Sequence, residues 1–303
     1  MLYSRCNTWR GKGGATVDQR IINLYDQYVH GGMERRSFLE QLTQLTGSSA
    51  AAAALLPLLQ NDYAKAQTIL ENDNRLVTSR AEYQAAGAKV TGYLARLKGG
   101  QKRPAVIVIH ENRGLNPHTE DVARRLAAEG YWAIAPDALS TLGGTPSNPD
   151  EIRPLFQKLE AKANIKNFVA AVQYLKTNPQ STGKVGCMGF CWGGGVTNQV
   201  AVNSPDLAAA VPFYGAQPAA EDVPKIKSAM LIHYAGQDER INAGIPAFEA
   251  ALKKAAIDYK IFMYEGAQHG FFNDSNAARY HKEAAPLAWQ RTLEFFKTRL
   301  KTG

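Results

Sequence analysis

The sequence around Cys191 has the residue types and the spacing of a catalytic nucleophile. A β-prone run, residues 184–189, leads into Gly-Phe-Cys-Trp-Gly at residues 189–193, and a helix-prone stretch, residues 194–202, follows. The Gly-x-Cys-x-Gly pattern between a strand and a helix is that of a nucleophile elbow, in which small neighbours permit a tight turn. A thiol at a helix N-terminus is favoured as the thiolate and lies near free backbone N–H groups. The pattern in this context predicts that Cys191 is a nucleophile rather than a buried structural cysteine.

Two residues downstream of Cys191 complete the set that a cysteine hydrolase needs. Asp238 follows a predicted strand at residues 229–234, and His269 follows another at residues 259–264. Open α/β sheets build their sites at the carboxyl ends of strands, so these side chains are expected to meet Cys191 there. Taken alone, Asp238 also fits an ordinary turn aspartate, and His269 a loop histidine. The order nucleophile, acid, histidine is that of α/β-hydrolases and favours a triad of the three.

Cys187 and His233 are predicted to be residues of the core rather than of the site. Three cysteines are too few for a disulfide framework, and no spacing typical of zinc ligands occurs, so neither a metal nor a cofactor is predicted. Cys187 lies inside the strand before the elbow and is expected to be an inert core thiol. His233 is expected in the core of its strand. Three further histidines are expected at the surface: His30, His118 and His281.

Alternating strand and helix patterns from about residue 76 onward predict the elements that position these side chains. Six short runs rich in Val, Ile and aromatic residues are expected to be buried strands: residues 105–110, 131–136, 184–189, 209–214, 229–234 and 259–264. Five stretches are expected to be helices: residues 119–129, 150–176, 194–202, 243–256 and 277–300. Residues 81–84 and 89–97 are predicted to pair as a hairpin at the sheet edge. The alternation predicts an α/β fold with a mainly parallel sheet and helices on both faces.

Residues 1–75 lack the alternating strand and helix patterns of the rest of the chain. They are predicted to be an N-terminal extension ahead of a catalytic domain at residues 76–303. Two arginines at residues 35–36 precede Ser-Phe-Leu, an alanine-rich apolar run follows at residues 50–59, and Ala-Lys-Ala stands at residues 64–66. These are the parts of an export signal, and the arginine pair resembles a twin-arginine signal. Export by the twin-arginine machinery would make the protein periplasmic or secreted. The alternative is an uncleaved helical hairpin that packs on the core of a cytoplasmic protein.

Composition narrows the classes of partner. The 303-residue chain is 45% hydrophobic and 20% charged, as expected of a globular protein. A net charge of +8 and a pI near 9.3 favour encounters with anions, but the basic residues are scattered and accompany no nucleic-acid motif, so no nucleic-acid partner is predicted. The apolar run at residues 50–59 is shorter than the roughly 18 residues of a membrane span, so no stable span is predicted. These patterns leave the oligomeric state open.

The chain resembles the dienelactone hydrolase family of α/β-hydrolases, also called carboxymethylenebutenolidases, over residues 76–300. Five motifs carry the resemblance: His-Glu-Asn-Arg-Gly at 110–114, Ala-Pro-Asp at 135–137, Gly-Phe-Cys-Trp-Gly-Gly at 189–194, Gly-Gln-Asp at 236–238 and Gln-His-Gly-Phe at 268–271. Ordinary esterases usually carry serine at the elbow, so cysteine together with the glutamate-bearing loop narrows the field. The resemblance implies an α/β-hydrolase fold and hydrolysis of a small ester or lactone through a thioester on Cys191.

The resemblance also implies roles for the residues around the thiol. Glu111 is expected to lie beside Cys191 and to help activate it, and the backbone N–H groups of Asn112 and Trp192 are expected to form an oxyanion hole. The alternative role for Glu111 is structural, as a partner of Arg113 or as a helix cap. Loop position predicts substrate contacts for three residues: Arg113, Tyr214 and Phe271.

The sequence departs from the family where the substrate is recognised. Members that act on dienelactone hold its carboxylate with arginines on the loop after Ala-Pro-Asp and four residues past the histidine. Here residues 138–144 contain no arginine, and Asn273 stands four residues past His269. A general carboxylesterase or thioesterase with the same triad is therefore an alternative function, and a non-catalytic α/β-hydrolase relative that binds a ligand is another.

Overall fold

The computed structural model describes residues 17–63, 67–85 and 87–301. The chain divides into two compact units. The smaller unit comprises Met1–Asp62 with Asn276–Ala278, and the larger comprises Tyr63–Ser275 with Arg279–Gly303. Cys6 and the predicted Ala-Lys-Ala cleavage segment at residues 64–66 lie outside the described residues.

Three helices form the smaller unit: α1 (Gln19–Val29), α2 (Arg35–Thr46) and α3 (Ser49–Leu59). Asp18 and Ser48 cap α1 and α3, since the side chain of each accepts a hydrogen bond from a backbone N–H in the first turn. Gly47 ends α2 in a left-handed conformation. The helices share an apolar core in which Phe38 stacks on Tyr28 with ring centroids 4.6 Å apart.

The predicted export signal falls largely on α2 and α3. No single helix in the described part of the chain is long and apolar enough to cross a membrane. These two helices satisfy the length and composition only together, and they are bent by 111° at the break between them.

An eight-stranded sheet forms the centre of the larger unit. Its strands are β1 (Leu76–Ala85), β2 (Ala88–Leu97), β3 (Arg103–Ile109), β4 (Trp132–Pro136), β5 (Ser181–Phe190), β6 (Ala209–Phe213), β7 (Ala229–Gln237) and β8 (Tyr259–Gln268). Their spatial order is β1-β2-β4-β3-β5-β6-β7-β8. The pairs β1–β2 and β2–β4 are antiparallel, and all other neighbours are parallel. The mainly parallel sheet and the edge hairpin are confirmed.

Helices cover both faces of this sheet. They are α4 (Pro117–Ala128), α5 (Pro149–Gln157), α6 (Ala161–Thr177), α7 (Trp192–Asn203), α8 (Glu239–Asn242), α9 (Ile245–Lys254) and α10 (Ala284–Arg299). Successive side chains of a strand point to opposite faces, so β3 directs Val106 and Val108 to one side and Ile107 and Ile109 to the other. The valines pack in a cluster with α4 and α10, and the isoleucines in a cluster with α6, α7 and α9. Burial on both faces explains why these strands read as continuous apolar runs.

The parallel strands bring the predicted site residues to one edge of the sheet. Strands β3, β5, β6, β7 and β8 run in the same direction, so their carboxyl ends lie side by side. Each of the following residues comes within two positions of the end of one of these strands: Glu111, Cys191, Tyr214, Asp238 and His269. The fold therefore gathers at one edge side chains that are far apart in the sequence.

The predicted helix at residues 150–176 is two helices in the structure. Helix α5 ends at Gln157, and α6 begins after Glu160. The Glu160 carboxylate accepts hydrogen bonds from the N–H groups of Lys162 and Ala163, at 3.2 and 2.5 Å, and so caps a new helix. Glutamate is not among the usual N-cap residues, so no local pattern indicated this break.

The predicted helix at residues 277–300 begins later, at Ala284. The strands before the site are also longer than predicted, since β7 reaches Gln237 and β8 reaches Gln268. These two glutamines pair with each other across the sheet. Asp238 and His269 are the residues that directly follow these two glutamines. They therefore start from neighbouring positions on two paired strands rather than from separate loops.

Candidate active site

Cys191 occupies the turn between β5 and α7 in a backbone conformation that few side chains adopt. Its φ is 56° and its ψ is −116°, a region that costs a non-glycine residue about 1–3 kcal/mol. A Cβ atom on Gly189 would lie 2.3 Å from the Gly193 carbonyl oxygen, and one on Gly193 would lie 2.4 Å from the His110 carbonyl oxygen. The glycines of the Gly-x-Cys-x-Gly pattern are therefore required by close backbone packing on both sides of the cysteine.

His269 and Asp238 form a buried pair beside this turn. His269 Nδ1 lies 2.5 Å from Asp238 Oδ2. The other carboxylate oxygen, Oδ1, accepts a hydrogen bond from the Ile241 N–H at the start of α8 at 3.4 Å, which fixes the plane of the carboxylate. A ring nitrogen of His269 and the Sγ atom of Cys191 lie within 4.8 Å of each other. The structure thus brings the three residues of the predicted triad together.

The ionisation of the pair reflects these contacts. Burial alone would lower the pKa of His269, but the charge of a Cys191 thiolate and the hydrogen bonds to Asp238 and Cys191 raise it to about 10. Burial alone would raise the pKa of Asp238, but the hydrogen bond to His269 and the positive charges of His269 and Arg240 hold it below its ordinary value. The arrangement favours a protonated imidazole whose Nδ1 atom faces the Asp238 carboxylate.

Glu111 is held from two sides at the end of β3. Its Oε2 atom accepts a hydrogen bond from Asn273 Nδ2 at 2.9 Å. Its backbone carbonyl oxygen lies 2.6 Å from His110 Nδ1, while His110 Nε2 accepts from the Ala138 N–H at 3.1 Å. Burial lowers the pKa of His110, so the ring is neutral and donates its single proton, on Nδ1, to the Glu111 carbonyl. The backbone and the side chain of Glu111 are therefore fixed separately.

Trp192 and Asn112 are the residues predicted to supply oxyanion-hole donors. Trp192 is the first residue of α7, so no carbonyl of its own helix accepts from its N–H. The Cys191 N–H, by contrast, donates to the Phe213 carbonyl at 3.1 Å. Asn112 lies in the loop that follows β3, two residues after the histidine whose ring stacks on the Trp192 indole. An oxyanion hole made by these two N–H groups stays a prediction.

Tyr214 lies against the imidazole of His269. The two ring centroids are 5.0 Å apart in an edge-to-face arrangement. The tyrosine is fully buried, and its φ of 37° is a second left-handed conformation at this edge of the sheet. Burial raises the pKa of its hydroxyl far above the ordinary value, and the charges of Glu111 and Cys191 raise it further. The hydroxyl therefore remains protonated within electrostatic reach of both predicted catalytic groups.

The other two predicted substrate contacts differ in their surroundings. Phe271 is fully buried among aromatic rings, with its ring centroid 5.4 Å from that of Tyr214 and 5.0 Å from that of Tyr264. Phe271 thus packs against the ring of Tyr214. Arg113 is half-buried in the loop between β3 and α4. Direct contact of these residues with a substrate stays a prediction.

Sequence reasoning assigned no role to three residues that the structure places around Glu111. His110 orients the Glu111 backbone and stacks on the Trp192 indole, with ring centroids 5.6 Å apart. Asn273 binds the Glu111 side chain, and Ser275 binds Asn273. The position of His110 directly after a buried strand was a usable signal, whereas the contact of Asn273 depends on a fold that joins residues 162 positions apart.

The predicted surface position of His118 is wrong. This histidine is 1% exposed in α4, and its Nδ1 atom lies 3.0 Å from Asp274 Oδ1. Arg125, also on α4, pairs with the same carboxylate. The loop after β8, which begins with His269, is thereby joined to α4 by a partly buried cluster of charged side chains.

The core positions predicted for His233 and Cys187 are confirmed. Both are fully buried in their strands. Burial lowers the pKa of His233 to about 3 and raises that of Cys187 to about 12, so the first is neutral and the second is an unreactive thiol. The two remaining histidines that were expected at the surface are half-buried: His30 and His281.

Comparison with known proteins gives the chain a family. Residues 90–300 match the model of the dienelactone hydrolase family, and residues 14–46 match a second model described as YqhI-like. A protein of Saccharolobus solfataricus with a provisional carboxymethylenebutenolidase name is 34% identical over 253 residues, covering 71% of this chain and 96% of the relative. A relative of Escherichia coli K12 with the same provisional name is 32% identical over 272 residues, covering 84% of this chain and 96% of the relative.

A solved structure gives the same assignment. The crystal structure of a provisionally named dienelactone hydrolase from Klebsiella pneumoniae is similar with a TM-score of 0.65 and 28% identity, covering 73% of this chain and 98% of that one. The region matched by the family model includes the sheet edge with Glu111, Cys191, Asp238 and His269. The chain therefore belongs to the dienelactone hydrolase family and is a hydrolase with the α/β-hydrolase fold.

Proposed function

We propose that this protein hydrolyses small esters or lactones with Cys191 as the nucleophile, His269 as the general base and Asp238 as the residue that orients the imidazole. The observation that carries the proposal is the buried His269–Asp238 pair, 2.5 Å apart, with the Sγ atom of Cys191 within 4.8 Å of a ring nitrogen of His269. The nucleophile stands at the N-terminus of α7, where backbone N–H groups and the helix dipole favour negative charge. Membership of a hydrolase family supports the same reaction class.

The reaction then has two steps. The Cys191 sulfur attacks the carbonyl carbon and the ester C–O bond breaks, and the imidazolium of His269 gives its proton to the departing oxygen, which leaves the imidazole neutral. The product of this step is a thioester, and in a lactone the departing oxygen stays attached to the opened ring. His269 next takes a proton from water, which attacks the thioester carbonyl and releases the carboxylic acid with the thiolate. The N–H groups of Asn112 and Trp192 are proposed to stabilise the oxyanion of both steps.

The substrate is proposed to differ from dienelactone. The position where family members acting on dienelactone carry an arginine is Asn273, and its side chain is already bonded to Glu111 and Ser275. A thioesterase or general carboxylesterase would use the same triad. A panel of p-nitrophenyl acetate, simple lactones and acyl thioesters distinguishes these substrates by their kcat/KM values.

Replacing the nucleophile tests the mechanism. We expect Cys191→Ala to lower kcat/KM for the preferred substrate at least about 1,000-fold, because loss of the nucleophile removes the covalent route. Mass spectrometry of quenched wild-type reactions should show the acyl group on Cys191. The matched control is Cys187→Ala, which removes the buried thiol of the preceding strand and should keep turnover. Turnover by Cys191→Ala near the wild-type rate would contradict the proposal.

Export through the twin-arginine machinery is a separate proposal. It is supported by the order of Arg35 and Arg36, the apolar run of α3 and the Ala-Lys-Ala segment at residues 64–66. Sequencing the N-terminus of protein recovered from the periplasm tests it. A mature chain that begins at Gln67 would support export, and a periplasm without the protein would contradict it.

A further inference from the structure

Residues 67–70 form a strap of irregular backbone that is bound to side chains of helix α4. The N–H groups of Thr68 and Ile69 donate to the two carboxylate oxygens of Asp121, at 3.1 and 2.8 Å. The Ile69 carbonyl oxygen accepts from Arg124 Nε at 2.7 Å. Both side chains of α4 are almost fully buried. Buried charged groups therefore hold the strap by its backbone.

Arg125 binds the carboxylate that holds the strap and a second carboxylate on the loop that begins with His269. Its Nε atom donates to Asp121 Oδ2 at 2.7 Å, and its Nη2 atom pairs with Asp274 Oδ2. Asp274 lies five residues after His269, and its Oδ1 atom lies 3.0 Å from His118 Nδ1. One guanidinium group therefore connects the anchor of the strap with the anchor of the loop.

The two carboxylates compete for Arg125. An arginine that lies between two carboxylates is drawn more strongly to the one whose charge is less satisfied by other donors. The strap supplies Asp121 with two backbone donors. Release of the strap would leave the Asp121 charge buried with fewer partners, and Arg125 would be drawn toward it and away from Asp274.

We propose that Asp121 and Arg125 are positioning residues that couple the strap to the loop carrying His269. With the strap bound, Arg125 holds Asp274 and the loop keeps the imidazole in place. With the strap released, the loop loosens and hydrolysis slows. Cleavage after residue 66, as proposed for export, would leave the strap in the mature chain. The effect on turnover rests on the proposed function of His269, whereas the coupling of strap and loop does not.

The experiment removes one backbone donor of the strap and follows the loop by hydrogen–deuterium exchange with mass spectrometry. Thr68→Pro lacks the N–H that binds Asp121, and Thr68→Ala is the matched control because it keeps this N–H. Peptides from residues 269–283 report on the loop, since the amides of Asn273 and His281 are hydrogen-bonded there. We expect their exchange to be about tenfold faster in Thr68→Pro than in Thr68→Ala, as for loss of a hydrogen bond to a charged group.

Three further measurements separate the coupling from a general loss of stability. Peptides from α9, which packs on the opposite face of the sheet from α4, should exchange equally in Thr68→Pro and Thr68→Ala. Arg125→Lys should uncouple the strap from the loop, because one ammonium group cannot bridge both carboxylates. Adding Thr68→Pro to Arg125→Lys should therefore change the exchange of the loop less than about twofold. For the preferred ester, kcat/KM should fall about tenfold in Thr68→Pro and remain at the wild-type value in Thr68→Ala.

Other outcomes would overturn the coupling. They are a folded Thr68→Pro protein whose loop exchanges as slowly as in Thr68→Ala, an equal acceleration in the loop and in α9, and an effect that persists in full in Arg125→Lys. If Thr68→Pro does not fold, Ile69→Pro removes the other strap donor and carries the same test, with Ile69→Ala as its control.

Turnover distinguishes the coupling from the proposed function. A loosened loop with the wild-type kcat/KM means that the strap does not position His269. If the exchange pattern is as expected and the wild-type protein turns over no ester, lactone or thioester, the proposed hydrolase function fails and the coupling stands.

Discussion

Asp238 serves two neighbours with one carboxylate. Oδ1 caps α8 by accepting from the Ile241 N–H, and Oδ2 faces His269 Nδ1. The cap restrains the rotation of the carboxylate, so the imidazole is held with Nδ1 toward the acid. The orientation of the proposed general base thus depends on a helix that is only four residues long.

Asp238→Asn should therefore separate orientation from folding. The amide keeps an oxygen for the α8 cap, but its NH₂ group would face His269 and favour the tautomer with the proton on Nε2, which cannot accept a proton from Cys191. We expect kcat/KM to fall about 10³- to 10⁴-fold, as in other triads, with the thermal unfolding midpoint nearly unchanged. Asp222→Asn, at an exposed ion pair with Lys225, is the control and should keep full activity. Activity of Asp238→Asn within tenfold of the wild type would argue against the triad.

At the residue level the sequence predicted the groups with a local signature and missed those without one. Cys191 stands in a recognisable turn, and Asp238 and His269 follow apolar strands, so local pattern and chain order were sufficient. The contacts of Asn273 with Glu111 and of His118 with Asp274 join distant segments. No local pattern specifies such pairs, because they are set by the packing of the completed sheet.

Helix α7 shows how an element positions a site by approaching its neighbours closely. The first turn of this helix packs directly against backbone: a Cβ atom on Gly193 would lie 2.4 and 2.5 Å from the carbonyl oxygens of His110 and Ile109. On Gly195, two residues further along the helix, a Cβ atom would have no neighbour closer than 3.5 Å. Two glycines in one helix thus meet opposite environments.

The two glycines predict opposite effects of the same substitution. Gly193→Ala should cost about 2–3 kcal/mol of unfolding free energy, since the end of β3 must move away from α7, and it should lower activity by displacing Glu111 from Cys191. Gly195→Ala should stabilise the protein by about 0.5–1 kcal/mol through helix propensity and leave activity unchanged. Urea unfolding and kcat/KM measure both. Equal effects of the two substitutions would mean that close backbone packing does not determine the position of α7.

The helices and strands were predictable where the apolar pattern agreed with the positions of the turn-forming residues. Strands β3 to β8 were predicted from the apolar runs that are typical of buried parallel strands, and the edge hairpin was predicted as well. The predicted burial of residues 259–264 is wrong, because β8 is an edge strand and only Tyr264 among these residues is buried. The break between α5 and α6 was not predicted, because Glu160 caps α6 without being a usual cap residue. The late start of α10 was also missed. The backbone N–H of His281 donates to the Phe271 carbonyl rather than to a carbonyl of a helix, and a helix-prone composition does not reveal such a contact.

For the molecule as a whole, the ion-pair cluster at Asp274 links stability to acid pH. Burial alone would raise the pKa of this carboxyl, but the hydrogen bonds and charges of His118 and Arg125 lower it to about 2. A folded-state pKa below the unfolded value means that the contribution is fully present above about pH 4 and is lost as the pH falls toward 2. The loop that carries His269 and Asn273 is joined to α4 through this carboxyl, so acid should loosen the site as well.

The acid dependence is measurable. Between pH 4 and pH 2 the ionisation of Asp274 should account for about 1–2 kcal/mol of lost unfolding free energy, a value reduced for its partial exposure. Asp274→Asn should be less stable at pH 7 and lack this part of the dependence. Asp222→Asn, at an exposed pair, should follow the wild-type curve. Parallel curves for Asp274→Asn and the wild type would show that Asp274 does not contribute.

The strained turn at Cys191 has a consequence for how this protein can be improved. A residue with a φ of 56° and a side chain opposes folding at that position, and glycine would relieve the strain. The chain could therefore gain thermal stability through Cys191→Gly, a change that removes its nucleophile. Directed evolution that selects on heat resistance alone would favour inert descendants, so any such screen must reward turnover in the same round.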